Sequence, residues 1–272
     1  MTNENINKIP KIIHYCWFGD KEKPELVQMC INSWKTQLSD YEIREWNNED
    51  LSKCTVQFVQ DAAEAKKWAF VADYFRFYAV YNFGGIYFDT DHEVVSNLDK
   101  FLKDDFFTGY ENASGSVLPF ASLFGAKPKH QIVEDMLHEY ENSSFIIKGE
   151  YNLKTVNQRF TDLLSEKYNF KKPYNENKTV EFAPNSFIYP SNYFCKEDSK
   201  YVIHHFAGSW VDDVRNFWTV NFPFGFNLKF YICKEETKKD NKLPEDEFVL
   251  IKFRKNKKRY IVITIGQKRS KQ

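Results

Sequence analysis

One block in the first third of the chain constrains the fold more than any other segment. Apolar residues recur at helical spacing through residues 61–83, which predicts a single long helix. A glycine pair at residues 84–85 follows, and glycine supplies the left-handed turn with which helices often end. Residues 86–88 are a short apolar strand pattern that runs directly into Asp89-Thr90-Asp91. The block therefore predicts a helix, a tight turn, a strand and an acidic loop in direct succession.

The chain before this block alternates strand and helix patterns. Residues 9–18 predict a buried strand, residues 24–38 carry apolar side chains at helical spacing behind Pro24, and residues 41–46 predict a second strand. This order predicts an α/β domain built on a mostly parallel sheet. Shorter signals follow the block and predict strands at residues 106–110, 120–125, 180–182, 187–189 and 201–206, and helices at residues 128–141 and 151–167.

The end of the chain differs in composition from the rest. Residues 248–253 and 260–265 are apolar strand patterns that flank the basic run of residues 254–259, which predicts a β-hairpin with a basic tip. We therefore expect a main domain over residues 1–232 and a small C-terminal extension over residues 233–272. The basic tip is either a solvated turn or a weak electrostatic contact with anionic lipid or an acidic partner.

Composition narrows the classes of function. The 272 residues include 38 basic and 38 acidic side chains, and this balance argues against nucleic acid as the main partner. Hydrophobic residues make up 42% of the chain, which is enough for a large core. The sequence shows neither an apolar run of transmembrane length nor a signal-peptide pattern. Its five cysteines lack a C-x-x-C spacing, so we expect reduced thiols in a cytoplasmic protein.

The two aspartates after the short strand are the strongest candidates for chemistry. In an α/β sheet, carboxylates at a strand end face the usual ligand crevice. Asp89 and Asp91 could share one divalent cation, with phosphate oxygens completing the coordination shell. A D-x-D sequence by itself could equally be an exposed acidic turn. Its position after a glycine turn and a buried strand favours a site for a metal and a diphosphate.

Asp73 and Arg76 lie three residues apart on the predicted helix, so they are neighbours on its surface. One interpretation is a local ion pair at the margin of the apolar face. The other is that Arg76 binds a phosphate or a sugar hydroxyl while Asp73 accepts hydrogen bonds from sugar hydroxyls. The D-x-D sequence sixteen residues after Asp73, on the next strand, favours the second interpretation.

Two adjacent histidines end the last strand pattern of the main domain. His204 and His205 should point to opposite faces of a strand, so that one could face a metal and the other the core. An imidazole nitrogen added to carboxylate oxygens favours Mn²⁺.

Trp17, at the end of the first strand, either packs in the core or stacks on a nucleobase. A structural or solvated role is our prediction for the remaining histidines, His14, His92, His130 and His138.

Three segments together carry a resemblance to a known family. They read I-P-K-I-I-H-Y-C-W-F-G, A-F-V-A-D-Y-F-R-F-Y-A-V-Y-N-F-G-G-I-Y-F-D-T-D and H-H-F-A-G-S-W. The combination resembles the D-x-D sugar-binding glycosyltransferases of family 32, which include capsule and lipopolysaccharide sugar transferases. It is more distantly similar to the glucosylating domains of clostridial toxins and to family 8 galactosyltransferases. The resemblance implies a GT-A type, Rossmann-like mixed sheet flanked by helices, a nucleotide-sugar donor, a divalent cation and retention at the anomeric carbon.

The resemblance also implies roles for individual residues. Asp91 would ligate the metal directly, Asp89 would reach the ribose, the sugar or the metal, and His205 matches the metal-binding H-x-x-G histidine of family 8. This chain lacks the lysine and proline that follow that glycine in family 8. The substrate-binding roles implied are uracil stacking by Trp17, sugar binding by Asp73 and Arg76, packing near the ribose by Tyr87, and diphosphate contact by Ser209 and Trp210.

These observations predict a retaining glycosyltransferase that uses Mn²⁺ or Mg²⁺ and a UDP-hexose, with glucose or galactose as the sugar. The expected acceptor is a glycan, lipid-linked or carried by a glycoprotein. The basic C-terminal hairpin could hold the protein at the inner face of a membrane.

One alternative to this function is a non-catalytic nucleotide-sugar-binding module. Another is a Mg²⁺-dependent D-x-D phosphatase, although that class has Thr or Val where this chain has Glu93.

Overall fold

The structure is a computed structural model that describes residues 8–113, 116–207, 214–221, 226–234, 247–256 and 259–267. Its internal contacts divide the chain into two compact units, Met1–Ala207 and Gly208–Gln272. Within the described residues, no helix is long and apolar enough to cross a membrane.

Helices and short strands alternate through the first unit. Its helices are α1 Glu25–Gln37, α2 Asn48–Ser52, α3 Gln57–Glu64, α4 Trp68–Phe83, α5 Gln131–Glu141, α6 Val156–Lys167 and α7 Ser191–Phe194, with a 3₁₀ turn at Asp99–Phe101. Its strands are β1 Ile12–Cys16, β2 Glu42–Trp46, β3 Gly85–Tyr87, β4 His92–Val94, β5 Phe106–Gly109, β6 Glu111–Ala113, β7 Ser116–Leu118, β8 Phe124–Ala126, β9 Ile146–Ile147, β10 Glu150–Tyr151, β11 Val180–Ala183, β12 Ser186–Tyr189 and β13 Val202–His204.

Seven of these strands form one mixed sheet in the order β11-β12-β5-β8-β3-β1-β2. Strand β1 runs parallel to both β2 and β3, and β12 runs parallel to β5, whereas β8 is antiparallel to β3 and β5. Strands β1, β3 and β5 therefore all end at the same edge of the sheet. The α/β prediction is confirmed, with a sheet more mixed than the parallel one that the strand–helix–strand start suggested.

Helices cover both faces of this sheet. One apolar cluster joins α4, α5 and α6 to the sheet, and a second cluster joins α1 and α7 to the opposite face. Neighbouring strand residues alternate between the clusters: Phe106 packs in the first and Phe107 in the second. Helices flanking a mixed sheet are the arrangement that the GT-A resemblance implies.

The single helix predicted over residues 61–83 is wrong. The chain instead forms α3 and α4, separated by Lys66 in a left-handed conformation with φ 55°. Buried side chains on both sides of the break, Ala62 in α3 and Phe70 in α4, face the same apolar cluster. Because both helices bury their apolar side chains in one core, the spacing in the sequence looks continuous across the break.

The other predicted elements occur with shifted or shorter bounds. The helix predicted over residues 151–167 begins only at Val156, because Thr155 and Gln158 form a capping box at its N-terminus. The strand predicted over residues 120–125 is β8, which is three residues long. Such shifts follow from caps and strand pairing, which apolar periodicity does not report.

The second unit is a four-stranded antiparallel sheet and not the lone hairpin predicted from the sequence. Its strands are β14 Val214–Asn221, β15 Phe226–Lys234, β16 Glu247–Asn256 and β17 Arg259–Gln267, in the order β14-β15-β17-β16. The predicted hairpin corresponds to β16 and β17. The boundary expected between residues 232 and 233 falls inside β15, which pairs along its whole length with β17, and the contacts instead divide the chain after Ala207.

Candidate active site

The sheet brings the ends of three parallel strands to one edge, and each end carries a candidate side chain. Trp17 follows β1, Asp89 and Asp91 follow β3, and Glu111 follows β5. Ligand sites of open α/β sheets lie outside the carboxyl ends of such strands. The chain direction set by strand pairing thus gathers residues from distant parts of the sequence at one place.

Arg76 is the buried centre of the site. Its Nη2 lies 2.8 Å from Asp73 Oδ1 and 3.3 Å from Asp89 Oδ1, and only 5% of the Arg76 side chain is exposed. Its guanidinium carbon lies 4.8 Å from the ring centroid of Tyr87, whose hydroxyl donates to Asp89 Oδ1 at 3.2 Å. Four residues predicted from the sequence to bind the donor therefore form one network of contacts around Arg76.

Two guanidinium nitrogens of Arg76 have no hydrogen-bond partner among the described residues. These are Nε and Nη1, which are both buried N–H donors. Leaving a charged donor buried and unpaired costs free energy, on the order of 1–3 kcal/mol or more. An oxygen-rich ligand would remove this cost. Arg76 pairs with Asp89 as well as with Asp73, so the contact extends beyond a local ion pair on the helix.

Burial and charge oppose each other at these carboxylates. Burial raises the pKa of Asp73 to about 6, although the Arg76 charge acts in the other direction. Burial likewise raises the pKa of Asp89, again opposed by Arg76. For Arg76 burial lowers the pKa, but the carboxylates of Asp89 and Asp73 and the nearby Tyr87 outweigh it, and the net pKa is raised. Arg76 is therefore a permanent cation in this site.

Asp91 is held by the segment that follows the last strand of the main domain. Its Oδ2 accepts a hydrogen bond from the backbone N–H of Ala207 at 2.8 Å, and its Oδ1 lies 3.5 Å from His204 Nε2. Burial alone would raise the pKa of Asp91, but His204 and the Ala207 N–H outweigh it and lower that pKa. Asp91 is consequently ionised and has a fixed orientation.

The structure brings His204, and not His205, to the D-x-D carboxylates. Strand β13 pairs antiparallel with β4, and His204 faces Asp91. His205 points away from this pair, and its Nε2 lies 2.8 Å from Glu93 Oε2. One histidine of the pair faces the carboxylates, as expected. It is His204, whereas the resemblance indicated His205. The alternation of side chains along a strand is the physical reason.

His92 also approaches the two aspartates. One ligand atom from each of Asp89, Asp91 and His92 lies within 4.8 Å of the other two. Both ring nitrogens of His92 are near backbone carbonyls, Nδ1 at 3.2 Å from Asp89 and Nε2 at 3.3 Å from Ala121. Burial lowers the pKa of His92 to about 3, so this ring is neutral. The carboxylates of Asp89 and Asp91, with an imidazole beside them, are a donor set that fits Mn²⁺ or Mg²⁺.

The structure says less about the three remaining residues predicted to bind substrate, Trp17, Ser209 and Trp210. Trp17 is half-buried, and its indole Nε1 donates to the backbone oxygen of Lys21 at 2.8 Å. Stacking of Trp17 on a nucleobase stays a prediction. Ser209 and Trp210 lie outside the described residues.

Glu111, like His92, lies at this site but was not predicted there from the sequence. It is 9% exposed, and its Oε2 lies 4.0 Å from His204 Nδ1. Burial raises the pKa of Glu111, while His204 acts in the other direction. A signal existed in the sequence, because the strand predicted over residues 106–110 is followed at once by a carboxylate, as the D-x-D strand is.

Comparison with known proteins agrees with this site. Residues 24–108 match the family model described as a glycosyltransferase sugar-binding region containing a DXD motif. The match spans α1 to β5 and includes Asp73, Arg76, Asp89 and Asp91. Residues 24–108 are therefore a sugar-binding region of the DXD glycosyltransferase type, and the resemblance predicted from the sequence is confirmed at that level.

Comparison with curated proteins finds no match. Among solved structures, one named "PaToxG Glycosyltransferase" is similar to this chain at 16% sequence identity with a TM-score of 0.44. The similarity covers 58% of this chain and 69% of that one.

Proposed function

We propose that this protein is a retaining, metal-dependent glycosyltransferase that moves a hexose, glucose or galactose, from a UDP-sugar to a glycan or glycoprotein acceptor. The observation that supports it most is the contact between Arg76 and the carboxylates of Asp73 and Asp89 at the edge of the sheet. The match of residues 24–108 to the sugar-binding family model supports the same conclusion.

Arg76 and Asp73 are suited to hold the donor sugar. The free Nε and Nη1 of Arg76 would donate to sugar hydroxyls or a phosphate oxygen, which would satisfy their buried donor groups. Asp73, held by Nη2 of the same arginine, would accept from a neighbouring sugar hydroxyl. Because both side chains are almost fully buried, they are preorganised and lose little entropy when the donor binds.

Asp91 and Asp89 are suited to hold a divalent cation, Mn²⁺ or Mg²⁺, with an imidazole nearby. A cation there would act as a Lewis acid that stabilises the charge of the departing diphosphate. The permanent charge of Arg76, which lies 3.3 Å from Asp89, would contribute to that stabilisation. We assign no general base, because in front-face attack the departing phosphate itself takes the proton of the acceptor hydroxyl.

Four further residues complete the proposed donor site. Trp17 would stack on the uracil, and Tyr87 would pack near the ribose. Ser209 and Trp210 would contact the diphosphate. The acceptor is proposed to be a lipid-linked or protein-linked glycan in the cytoplasm, with the basic residues 254–259 in contact with the inner face of a membrane.

A donor screen tests this proposal. Purified protein with Mn²⁺ is incubated with a panel of nucleotide sugars, and release of UDP or GDP is measured. We expect release from a UDP-hexose and a loss on the order of 10²- to 10³-fold in Asp91→Asn. Lys53→Met is a matched control, because Lys53 forms only an exposed pair with Glu49. Full turnover in excess EDTA would contradict the role of the metal.

Two further measurements separate the alternatives. Titration calorimetry that shows UDP-sugar binding without UDP release over a long incubation would support a non-catalytic module. Hydrolysis of a generic aryl phosphate, lost in the same Asp91 variant, would support a phosphatase.

A further inference from the structure

His204 lies between two carboxylates that come from different strands. Its Nε2 is 3.5 Å from Asp91 Oδ1, and its Nδ1 is 4.0 Å from Glu111 Oε2. Asp91 follows β3 and Glu111 follows β5, so the parallel course of these strands produces the arrangement. The imidazole thus presents one nitrogen to the D-x-D motif and the other to a carboxylate outside it.

The surroundings of His204 leave one of its nitrogens unused. His204 is 9% exposed, and its buried Nδ1 has no hydrogen-bond partner in the part of the chain that the structure describes. The ring stacks on His92 at 4.3 Å and on Phe206 at 3.9 Å between ring centroids. Stacking restrains the plane of the ring but does not determine where its nitrogens point. A buried unpaired N–H costs free energy, so a small approach of Glu111 would be favourable.

We propose that Glu111 is a positioning residue: its carboxylate accepts the Nδ1–H of His204 and thereby presents Nε2 to a divalent cation at Asp89 and Asp91. Histidines that ligate metals commonly donate their other ring N–H to a carboxylate, which fixes the tautomer and the ring orientation. This inference rests on the proposed metal-dependent function and extends it to a residue outside the D-x-D motif.

The other described histidines near the motif are less suited to this role. His205 directs its Nε2 to Glu93 at 2.8 Å. Both nitrogens of His92 are within 3.3 Å of backbone carbonyl oxygens, so ligation through either would displace an existing contact. His204 is the histidine whose ring faces Asp91 with a carboxylate behind it. The Cys195 thiol is a second neighbour of the His204 ring, and the test must separate it from Glu111.

The experiment measures Mn²⁺ binding to the full chain without any donor. Free Mn²⁺ is quantified by electron paramagnetic resonance, and pulsed measurements detect coupling of bound Mn²⁺ to an imidazole ¹⁴N. We expect the coupling in the wild type and in His205→Gln and Cys195→Ala, and its loss in His204→Gln. Glu111→Ala should weaken Mn²⁺ binding by about 10- to 100-fold, and Glu111→Gln, which keeps an acceptor, by less.

A double variant shows whether Glu111 acts through His204. Glu111→Ala combined with His204→Gln should bind Mn²⁺ no more weakly than His204→Gln alone. An equal further loss would overturn the proposal, because Glu111 would then act on the metal directly or on the fold. Coupling to ¹⁴N that persists in His204→Gln would overturn it too. If Glu111→Ala fails to fold, the comparison of Glu111→Gln with Cys195→Ala decides.

The same measurements distinguish this inference from the proposed function. Mn²⁺ binding that depends on Asp91 but is unchanged in His204→Gln and Glu111→Gln would refute only the role of Glu111. If the wild type and Asp91→Asn alike bound no Mn²⁺, and the wild type released no UDP, the proposed function itself would fail.

Discussion

Arg76 and His14 are both buried, yet their hydrogen bonding differs. Trp46 Nε1 donates to His14 Nδ1 at 3.2 Å, and His14 Nε2 donates to the carbonyl of Gly84 at 2.9 Å. Both ring nitrogens are therefore used inside the fold, whereas two guanidinium nitrogens of Arg76 are not. The bonds of His14 account for its burial, whereas the buried unpaired donors of Arg76 require a further explanation, which the proposed donor sugar supplies.

His14 should make stability depend on pH. Burial lowers its pKa from 6.5 to about 4, so below pH 6.5 the unfolded chain binds a proton that the folded chain does not. The contribution of His14 to stability is fully present above about pH 6.5. It is lost as the pH decreases towards 4, which lowers the free energy of unfolding by at most about 3 kcal/mol. His14→Gln should be less stable at neutral pH but lose less on acidification. Urea unfolding at several pH values measures this.

The exposed His138 supplies the control for this prediction. His138→Gln is the matched variant, because that side chain is exposed to solvent in the folded protein. An acid dependence of His14→Gln identical to the wild type would contradict the role of His14.

Strand β3 is the element that places the D-x-D residues. It is inserted between β1 and β8, and it begins at Gly85, which has φ 103°. A Cβ atom at Gly85 would lie 2.4 Å from the backbone oxygen of Ile12. Only glycine combines this backbone conformation with such a close approach. The glycine pair is therefore required both to end α4 and to bring β3 against β1.

Gly85→Ala should strongly destabilise the first unit. The substitution combines an unfavourable φ with a clash against backbone, so we expect a loss of at least about 2 kcal/mol in the free energy of unfolding. Gly149→Ala is the matched control: Gly149 has φ 83°, but an added Cβ would have no atom of another described residue, apart from its chain neighbours, within 4 Å. That variant should lose only about 1 kcal/mol. Equal losses in chemical denaturation would show that the contact with Ile12 is unimportant.

At the scale of the whole first unit, Asp105 joins segments that are distant in sequence. Its carboxylate accepts from Lys8 Nζ and Asn185 Nδ2, each at 2.6 Å, and it pairs with Lys127. Burial would raise the pKa of Asp105, but these hydrogen bonds outweigh it and lower that pKa. One side chain thus connects the N-terminal segment, the end of β8 and the turn before β12.

Asp105→Asn should therefore cost about 2 kcal/mol of stability near neutral pH, since it weakens several hydrogen bonds to a charged group at once. Because folding lowers the pKa of Asp105, the difference in the free energy of unfolding between variant and wild type should shrink as the pH falls below about 4. Thermal or urea unfolding measures both effects. Asp40→Asn, at an exposed pair with Lys11, should cost less than about 1 kcal/mol. Similar costs for the two variants would be inconsistent with this account.

The sequence alone determined the class of fold and the local chemistry of the site. The spacing of Asp73 and Arg76 on a helix, the glycine turn and the D-x-D sequence after a short strand all involve neighbours within a few residues. Local geometry decides such contacts, so a motif predicts them. The same locality explains the wrong helix over residues 61–83: periodicity reports which face is buried, not whether the backbone continues.

The tertiary structure decided which distant residues join that site. Whether His204 or His205 faces Asp91 depends on the register of β13 against β4, and one residue of shift would exchange them. The place of Glu111 depends on β5 running parallel to β3 with β8 between them. Pairing between strands far apart in sequence is set by how the whole core packs, and that information is not contained in any local pattern.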